Sequence, residues 1–411
     1  MTEPTAGTDC DIAIIGGGMV GATLACALAP LPLRIVMIES AEPELGAPPT
    51  YDDRAIALSY GTRRILDAIG VWPHLAAEAT PIERIHVSDR GRFGFAHLDS
   101  REEGVPALGY VALARELGEA LYRTLDRTDV GRMAPARFEN AEQDHDGVTV
   151  ELATADGRVR LRSRMLLAAD GTRSTVRDAL GIATRRHGYG QSAVITNVTP
   201  AKAHTGQAYE RFTESGPVAL LPMTENRCGV VWTWRDEAVQ KPLAWDDHTF
   251  ISHLQEAFGY RLGRFLHVGT RRSYPLQLVM AKEAVRGHIA LIGNAMHTVH
   301  PIAGQGFNLG IRDVAALAEV VQTGLRENGL ADTGDVLRRY ARWRRRDQES
   351  LAMITDGLVR LFGNPLGPVR VGRNLGLVLA DVVPGVRHAI ARHAMGLTGR
   401  LPGLARGIGL D

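Results

Sequence analysis

The chain has 411 residues, of which 45% are hydrophobic and 23% charged, a composition typical of a folded protein with more than one domain. Lysine and arginine total 47 against 46 aspartate and glutamate, so no global charge excess indicates a nucleic-acid-binding protein. Three cysteines without metal-ligand spacing argue against a disulfide framework and favour a reducing compartment.

The N-terminal segment is predicted to form a strand, a glycine turn, a helix and a second strand. Met1–Cys10 is polar and lacks the apolar core of a signal peptide, so a cytoplasmic location is expected. Asp11–Ile15 is apolar, Met19–Ala29 carries small and apolar residues, and Arg34–Ile38 is a strand of the buried type. This order is that of a βαβ unit.

The turn of this unit matches the dinucleotide-binding pattern G-x-G-x-x-G at residues 16–21, GGGMVG. Gly16 allows the tight turn, Gly18 lets a pyrophosphate approach the backbone, and Gly21 lets the helix pack closely on the strand. Glu39, at the end of the second strand, is placed to accept hydrogen bonds from a ribose diol. The pattern predicts a bound dinucleotide without choosing FAD or NAD, and ordinary turn glycines are the alternative.

The rest of the chain divides by its predicted elements. Arg164–Ala169 and His288–Ile292 are short apolar runs that extend the nucleotide-binding sheet, whereas Gln191–Trp234 is β-rich and interrupted by turn residues, typical of an antiparallel meander. We therefore predict a discontinuous nucleotide-binding domain, a substrate domain and a C-terminal helical region. The nucleotide-binding domain comprises residues 1–80, 101–185 and 275–335. The substrate domain comprises residues 81–100 and 186–274, and the C-terminal helical region comprises residues 336–411.

Two later motifs favour a flavin. Asp170–Arg177 follows a strand, and its alternative interpretation is an Asp-Gly turn before a capped helix. Residues 300–313, HPIAGQGFNLGIRD, form a glycine-rich stretch that opens an amphipathic helix. Little side-chain bulk and free helix-start amides suit a flat and partly anionic ligand such as a reduced flavin ring.

These motifs resemble those of the class A flavoprotein monooxygenases, and residues 300–313 match the pattern shared by the ubiquinone-biosynthesis hydroxylases. Further segments are similar to the branch that acts on 2-polyprenyl-6-methoxyphenol, and they lie at residues 53–58, 86–91, 210–213, 216–223 and 371–377. The resemblance covers nearly the whole chain. It implies an α/β fold of the para-hydroxybenzoate hydroxylase type, in which a Rossmann-like FAD-binding domain carries an inserted antiparallel β-sheet substrate domain and a C-terminal helical region.

The resemblance also implies roles for individual residues. Cofactor-binding positions would be Gly16, Gly18, Gly21, Glu39, Arg54, Arg115, Asp170, Asn294, Gly304, Gln305, Gly306 and Asn308. Pro301, Gly304 and Gly306 would form the catalytic surface along the flavin, with no side-chain nucleophile. Substrate-facing positions would be Phe212, Pro217, Leu220 and Pro222. Most of the wider family has an aspartate where this chain has Asn294; the amide keeps an acceptor and loses the charge.

The implied reaction uses non-covalent FAD, NAD(P)H as a transient co-substrate and O₂, and it hydroxylates a polyprenylated phenol in ubiquinone biosynthesis through a flavin hydroperoxide. The expected substrate is 2-polyprenyl-6-methoxyphenol. The alternatives are a class A hydroxylase of another aromatic compound and a non-catalytic flavin-binding scaffold. No metal site is expected, because His297 and His300 have no further ligand nearby in the sequence.

The C-terminal region is locally basic. Gly357–Leu410 contains seven arginines against the single acidic residue Asp381. One interpretation is a helical cap with solvated arginines. The other is a docking surface for other ubiquinone-biosynthesis proteins or for an anionic membrane, which would place the protein peripherally on the inner face of the membrane through a salt-sensitive contact.

Overall fold

The computed structural model describes residues 9–42, 46, 54–299, 304–363 and 367–410. The strands, in chain order, are β1 (Cys10–Ile15), β2 (Ile35–Ile38), β3 (Ala55–Ser59), β4 (Thr80–Ile82), β5 (Arg84–Asp89), β6 (Phe95–Asp99), β7 (Gly109–Leu113), β8 (Gly131–Met133), β9 (Ala136–Gln143), β10 (Val148–Thr154), β11 (Gly157–Ala168), β12 (Thr184–Pro200), β13 (Gln207–Phe212), β14 (Pro217–Pro222), β15 (Cys228–Arg235), β16 (Phe265–Val268), β17 (Arg272–Ala281), β18 (Val285–Arg286), β19 (Ile289–Leu291) and β20 (His297–Thr298).

The helices are α1 (Met19–Leu28), α2 (Tyr60–Ala68), α3 (Ala114–Leu125), α4 (Thr175–Ala179), α5 (Gln240–Ala244), α6 (Asp247–Phe258), α7 (Gln305–Asn328), α8 (Thr333–Gly363), α9 (Gly367–Val382) and α10 (Pro384–Ala394). Short 3₁₀ turns lie at Trp72–His74, Gly293–Ala295 and Leu404–Arg406.

The first sheet is built around β1. It runs in the order β18-β19-β11-β1-β2-β8, with β9 and β10 continuing from β11, and β1 is parallel to both of its neighbours. Ile12 and Ile14 pack into the core that contains α1, α3 and α7, whereas Ala13 and Ile15 pack on the side of β9, β10 and α4. A central parallel strand is buried on both faces, which explains the continuous apolar run at the N-terminus.

The second sheet is mostly antiparallel and runs in the order β20-β17-β12-β15-β14-β13-β5-β6. Its strands come from residues 84–99, 184–281 and 297–298, so β17 extends the sheet beyond the predicted substrate-domain boundary at 274. On one face, Leu220 of β14 packs with Phe250 and Leu254 of α6. On the other face, Ala208 of β13 packs with Val111 of β7.

A small sheet in the order β3-β7-β4 lies between these two bodies. The first residue of β3, Ala55, lies against the second sheet, since a Cβ placed on Gly229 would be 2.9 Å from the Ala55 Cβ. Two residues later, Ala57 lies against the start of α7, since a Cβ placed on Gly304 would be 2.8 Å from the Ala57 Cβ. At about 3.3 Å per residue, these two contacts are roughly 7 Å apart along one strand.

Helix α9 is fastened to the edge of the second sheet. Arg373 and Asn374 both hydrogen-bond the Asp89 Oδ2 at the end of β5, at 2.7 and 3.0 Å. Asp381 Oδ1 accepts the backbone N–H of His97 in β6 at 2.8 Å. Polar contacts to the sheet therefore occupy one side of this helix. Within the described ranges, no helix is long and apolar enough to cross a bilayer.

The three thiols are enclosed by the fold. Cys10 lies in β1, Cys26 in α1 and Cys228 in β15, and all three side chains are buried. Burial raises the pKa of each thiol to about 12. None of them therefore carries an appreciable thiolate population near neutral pH.

Candidate active site

The glycine turn between β1 and α1 contains two glycines that the chain's own packing requires. Gly16 has a φ of +103°, and a Cβ on it would lie 2.6 Å from the Ala169 carbonyl oxygen. A Cβ on Gly21 would lie 1.8 Å from the Gly16 carbonyl oxygen. Gly18 differs, because no described atom lies within 4 Å of the position that its Cβ would occupy. The open position at Gly18 is where a ligand can approach.

Helix α1 presents unoccupied amides at that position. It begins after Gly18, has no side-chain cap and has no acidic residue in its first turn. Free amides and the positive end of the helix dipole bind a phosphate well. The turn therefore fits a dinucleotide pyrophosphate.

Glu39 holds the glycine turn in place. Its Oε2 accepts the Gly17 N–H at 2.6 Å, and its Oε1 accepts the N–H and hydroxyl of Ser40 at 2.7 and 2.8 Å. The Tyr122 hydroxyl donates to the Gly17 carbonyl at 2.9 Å. A carboxylate oxygen has two acceptor positions, so Oε2 retains one for a ribose hydroxyl.

Asp170 lies at the turn after β11. Its Oδ2 accepts the Val176 N–H at 3.1 Å and the Thr175 hydroxyl at 3.2 Å. Its Oδ1 is buried without a hydrogen-bond partner among the residues the structure describes. A buried acceptor without a donor is unfavourable, so this oxygen suits a hydroxyl of a bound cofactor.

Arg177, in the same motif, is fully buried and holds two turns together. It donates from Nη1 to the Ala295 carbonyl at 3.0 Å and from Nη2 to the Thr172 carbonyl at 3.1 Å. These bonds join the Asp170 turn to the turn that carries Asn294. The geometry gives Arg177 a positioning role between these two turns.

The turn at Gly293–Ala295 leaves Asn294 exposed between two buried residues. The Gly293 N–H donates to Asp313 Oδ2 at 3.2 Å, and a φ of +55° makes this position favourable for glycine. The Asn294 amide is therefore displayed at the surface of a fixed turn, where a ribityl hydroxyl could reach it.

Asp313, in α7, is the centre of a buried charged cluster that the sequence analysis did not identify. Its Oδ2 lies 2.5 Å from His297 Nε2, and its Oδ1 accepts Arg344 Nε at 2.8 Å and Gln348 Nε2 at 3.0 Å. Burial raises the pKa of this carboxyl, but the charges of His297 and Arg344 outweigh burial and hold it below its usual range. One feature of the sequence indicates this cluster: the charged pair Arg312-Asp313 interrupts the apolar residues of α7.

The start of α7 is the predicted flavin-facing surface. Pro301 lies outside the described residues. Gly304 caps the helix with a φ of +63°, and as a glycine it offers no side chain to cap the amides of the first turn. Gln305 is buried and donates from Nε2 to the Ala394 carbonyl at 3.4 Å. At Gly306 a Cβ would have one neighbour, Val299 Cγ2 at 3.6 Å, which is an ordinary contact.

Asn308 uses its side-chain hydrogen-bonding capacity within the protein. Its Oδ1 accepts the Ser59 N–H at 2.8 Å and the Thr62 hydroxyl at 2.7 Å. Its Nδ2 donates to the carbonyl of Ala57 at 2.9 Å and to that of Gly304 at 2.8 Å. An amide has two donor and two acceptor positions, so the side chain fixes β3 against α7 and has none left for a cofactor.

The two predicted FAD-binding arginines differ. Arg54 is exposed just before β3 and forms no ion pair with any described residue, so its guanidinium is available to a phosphate or ribityl group. Arg115, at the start of α3, pairs with Glu119 at 2.9 Å and with Glu116. Its role in FAD binding stays a prediction, because the two carboxylates would compete with FAD for its guanidinium group.

The predicted substrate residues divide between the two faces of the second sheet. Phe212 pairs with Pro217 across β13 and β14. By the alternation of side chains along β13, Phe212 shares the face of Ala208, which packs against the small sheet. Leu220 lies in the core against α6 on the opposite face, and Pro222 shares its side by the same alternation. Phe212 and Pro217 therefore stay predicted substrate-facing positions on the side of the small sheet, whereas Leu220 and Pro222 lie on the α6 side.

Comparisons with known proteins identify the family. The FAD-binding domain family matches residues 9–353. The chain is 40% identical to the ubiquinone hydroxylase UbiL of Rhodospirillum rubrum, over 97% of this chain and 93% of that protein. This chain belongs to the FAD-dependent monooxygenases. It is also 31% identical to the 3-demethoxyubiquinol 3-hydroxylase of Escherichia coli, over 94% of this chain and 98% of that protein.

The solved structures agree on the fold of this monooxygenase. The p-nitrophenol 4-monooxygenase PnpA of Pseudomonas putida superposes with a TM-score of 0.79 at 22% identity, over 96% of this chain and 99% of that one. The predicted fold class and family are confirmed, as is FAD as the cofactor, with the NAD(P)H co-substrate typical of the family. Among the described residues, no group of three or more His, Cys, Asp or Glu could hold a metal ion.

The glycine geometry predicts the effect of Gly18→Val. Because the Cβ position is open, the variant should fold normally, while the added methyl groups fill the space of the pyrophosphate. FAD affinity should fall by ~100-fold or more, about 2.7 kcal/mol. Flavin titration by fluorescence measures this, with thermal melting as the check on folding.

The matched control is Gly188→Val, which places the same side chain in a strand at another glycine with no atom within 4 Å of its Cβ position. It should bind FAD as the wild type does. Stoichiometric FAD in Gly18→Val at wild-type affinity would show that the phosphates bind elsewhere.

Proposed function

We propose that this monooxygenase hydroxylates the ring of a polyprenylated phenol in ubiquinone biosynthesis, with 2-polyprenyl-6-methoxyphenol as the candidate substrate. The observation that carries the proposal is 40% identity to a ubiquinone hydroxylase over 97% of the chain, which includes the sheet that would bind the substrate. The Escherichia coli relative, by its name, acts on 3-demethoxyubiquinol. A demethoxyubiquinol is therefore the second candidate substrate.

The chain's own residues bind and orient the reactants. FAD, once reduced by NAD(P)H and supplied with O₂, provides the hydroxylating chemistry. The α1 amides would hold the pyrophosphate, while Asp170 Oδ1 and the Asn294 amide oxygen would accept cofactor hydroxyls. The start of α7 would direct the positive end of a 24-residue helix at negative charge on the ring.

Product analysis tests the substrate. Purified protein with FAD, NADPH and O₂ should convert short-tailed 2-prenyl-6-methoxyphenol to the hydroxylated product, detected by mass spectrometry with ¹⁸O₂. A 3-demethoxyubiquinol analogue and a tail-free methoxyphenol serve as competitors, and the candidate should have the highest kcat/KM. Hydroxylation of the tail-free phenol alone would exclude a polyprenylated substrate.

The α7 start predicts that Gly306→Val uncouples the reaction. The added Cβ would make only an ordinary 3.6 Å contact with Val299 Cγ2, so FAD should remain bound, but bulk at the flavin-facing surface should displace the substrate. Product formed per NADPH should fall by about tenfold, equivalent to ~1.4 kcal/mol at the hydroxylation step. Peroxide and product assays measure the ratio.

Gly357→Val, at an exposed glycine of α8 with open space around its Cβ position, is the control and should couple normally. Gly304 is a poor probe, because its φ of +63° and its 2.8 Å approach to Ala57 would disturb the fold. Wild-type coupling in Gly306→Val would mean that this surface does not face the flavin.

We also propose that α9 and α10 dock on an anionic lipid bilayer, where a polyprenylated substrate dissolves. The support is an apolar stripe of exposed side chains on the two helices: Val371, Leu375, Leu379, Val382, Val386 and Ile390. On α9 these recur at helical spacing, opposite the polar contacts to the sheet. The basic composition of the segment and the exposed, unpaired Arg392 among the described residues complement anionic lipid.

Ion pairs within the protein change the salt dependence expected for membrane binding. Arg373, Arg387 and Arg400 pair with Asp89, Glu102 and Glu319 respectively. Much of the local positive charge is therefore neutralised, and apolar burial would supply most of the binding. Attachment to vesicles should persist at high salt, in contrast to the salt-sensitive contact expected from the arginine count.

The stripe predicts that Leu375→Glu with Leu379→Glu abolishes vesicle binding while the protein stays folded, because both side chains are exposed. Co-sedimentation with phosphatidylglycerol-containing vesicles at low and high salt measures this. Leu266→Glu is the control, since Leu266 is 53% exposed and Leu375 is 51% exposed. Equal sedimentation of the double variant and the control, or none of the wild type, would exclude this docking face.

A further inference from the structure

A carboxylate lies on the face of the second sheet that is directed toward the FAD-binding body. In β13, Ala208 packs against the small sheet and Tyr209 packs in the core beside α6. Side chains alternate along a strand, so Glu210 shares the face of Ala208 and Phe212. In the sequence, Glu210 is the first residue of the family-like segment 210–213, and no role was predicted for it.

The small sheet connects Glu210 to the flavin-facing turn. Ala55, at one end of β3, contacts the second sheet at Gly229, and Ala57 contacts Gly304. Glu210 is one alternation step along β13 from Ala208, whose packing cluster includes Ala55. The carboxylate therefore lies on the sheet face that the small sheet covers, about 7 Å along β13 from Ala208.

Its neighbours leave the carboxylate without a counter-charge. The residues beside it in register are Ala219 of β14 and Val87 of β5, both apolar. Glu210 forms no hydrogen bond or ion pair with any described residue, and its side chain is only partly exposed. An unpaired carboxylate in apolar surroundings is unfavourable for folding. A role toward a bound ligand would explain why the chain has a glutamate at this position.

We propose that Glu210 is the catalytic base that accepts the phenol proton of the substrate during hydroxylation. The inference rests on the proposed phenolic substrate. As the ring carbon forms its bond to the incoming oxygen, the phenol O–H bond breaks. The proton moves to a Glu210 carboxylate oxygen, and the O–H electron pair becomes the π bond of a ring carbonyl. The O–O bond of the O₂-derived donor breaks as the new C–O bond forms, and the leaving oxygen takes a proton from water. The hydroxylated carbon then releases its hydrogen to water as a proton, Glu210 returns its proton to the ring carbonyl oxygen, and aromaticity is restored.

The ionisation of Glu210 suits this step. Burial raises the pKa of its carboxyl to about 7, and no charged group contributes to that shift. A base whose pKa lies near the working pH combines a useful ionised fraction with a useful basicity. Because the ionised form is the acceptor, kcat/KM should rise with pH through this value and fall by about fivefold from pH 7 to pH 6.

The test compares Glu210→Gln with Glu214→Gln, which makes the same change at an exposed glutamate of the same hairpin. Glu210→Gln should bind FAD normally, lose roughly 10²-fold or more in kcat/KM and lose the acid limb of the pH profile. Glu210→Asp keeps an acceptor and should retain part of the rate. Glu214→Gln should match the wild type in rate and pH profile.

Stability supplies a readout that is independent of turnover. A carboxyl whose pKa is raised on folding stabilises the folded state below its unfolded pKa, and that contribution is lost as pH rises through the folded pKa. Glu210→Gln should therefore raise the Tm relative to wild type at pH 8 and change it much less at pH 5, where the folded wild type holds the Glu210 carboxyl protonated. An equal change in Tm at both pH values would contradict the burial of this charge and the proposal with it.

The proposed substrate and the proposed base can fail separately. If wild type hydroxylates another phenol in place of the polyprenylated one, the substrate assignment fails and Glu210 is tested on that phenol. If Glu210→Gln retains the wild-type rate and acid limb on whichever phenol is hydroxylated, Glu210 is not the base. Loss of rate with the acid limb intact would equally overturn the proposal.

Discussion

The buried negative charge of Asp313 constrains how the parts of the FAD-binding body meet. It accepts an N–H from the Gly293 turn, contacts His297 and binds Arg344 of α8, so one carboxylate joins two helices and a turn. Removing one partner from a buried ion pair costs about 3–5 kcal/mol, because the remaining charge stays without compensation. The turn that displays Asn294 therefore depends on a charge that is fully buried within the protein.

Asn308 and β3 extend this organisation to the substrate side. Asn308 bonds to Ala57, Ser59 and Gly304, so its side chain joins the start of α7 to the strand that contacts the second sheet. The predicted flavin-facing and substrate-facing surfaces are therefore held together by a residue whose side chain is engaged within the protein. Effective alignment of reactants contributes strongly to rate, and rigid elements provide it better than loops.

The fold and the cofactor could be predicted from the sequence because short motifs carry both the βαβ pattern and the family resemblance. The turn glycines, the βαβ order and the residues before α7 are short-range features. Long-range partners were not predictable in this way. Nothing near Asp313 in the chain indicates Arg344, 31 residues away, and the strand pattern alone did not assign Leu220 to the α6 face or Glu210 to the opposite one. Those depend on register and on which layer covers each face.

The placement of the thiols has a consequence for the chemical durability of an oxygen-using enzyme. Turnover that reduces O₂ without hydroxylating a substrate releases peroxide, which attacks thiolates along the oxidation ladder. With all three cysteines buried and their pKa values near 12, the protein offers peroxide almost no thiolate. Peroxide should instead oxidise methionine thioethers at the surface. The most accessible of these among the described residues is Met353 in α8, which is 68% exposed.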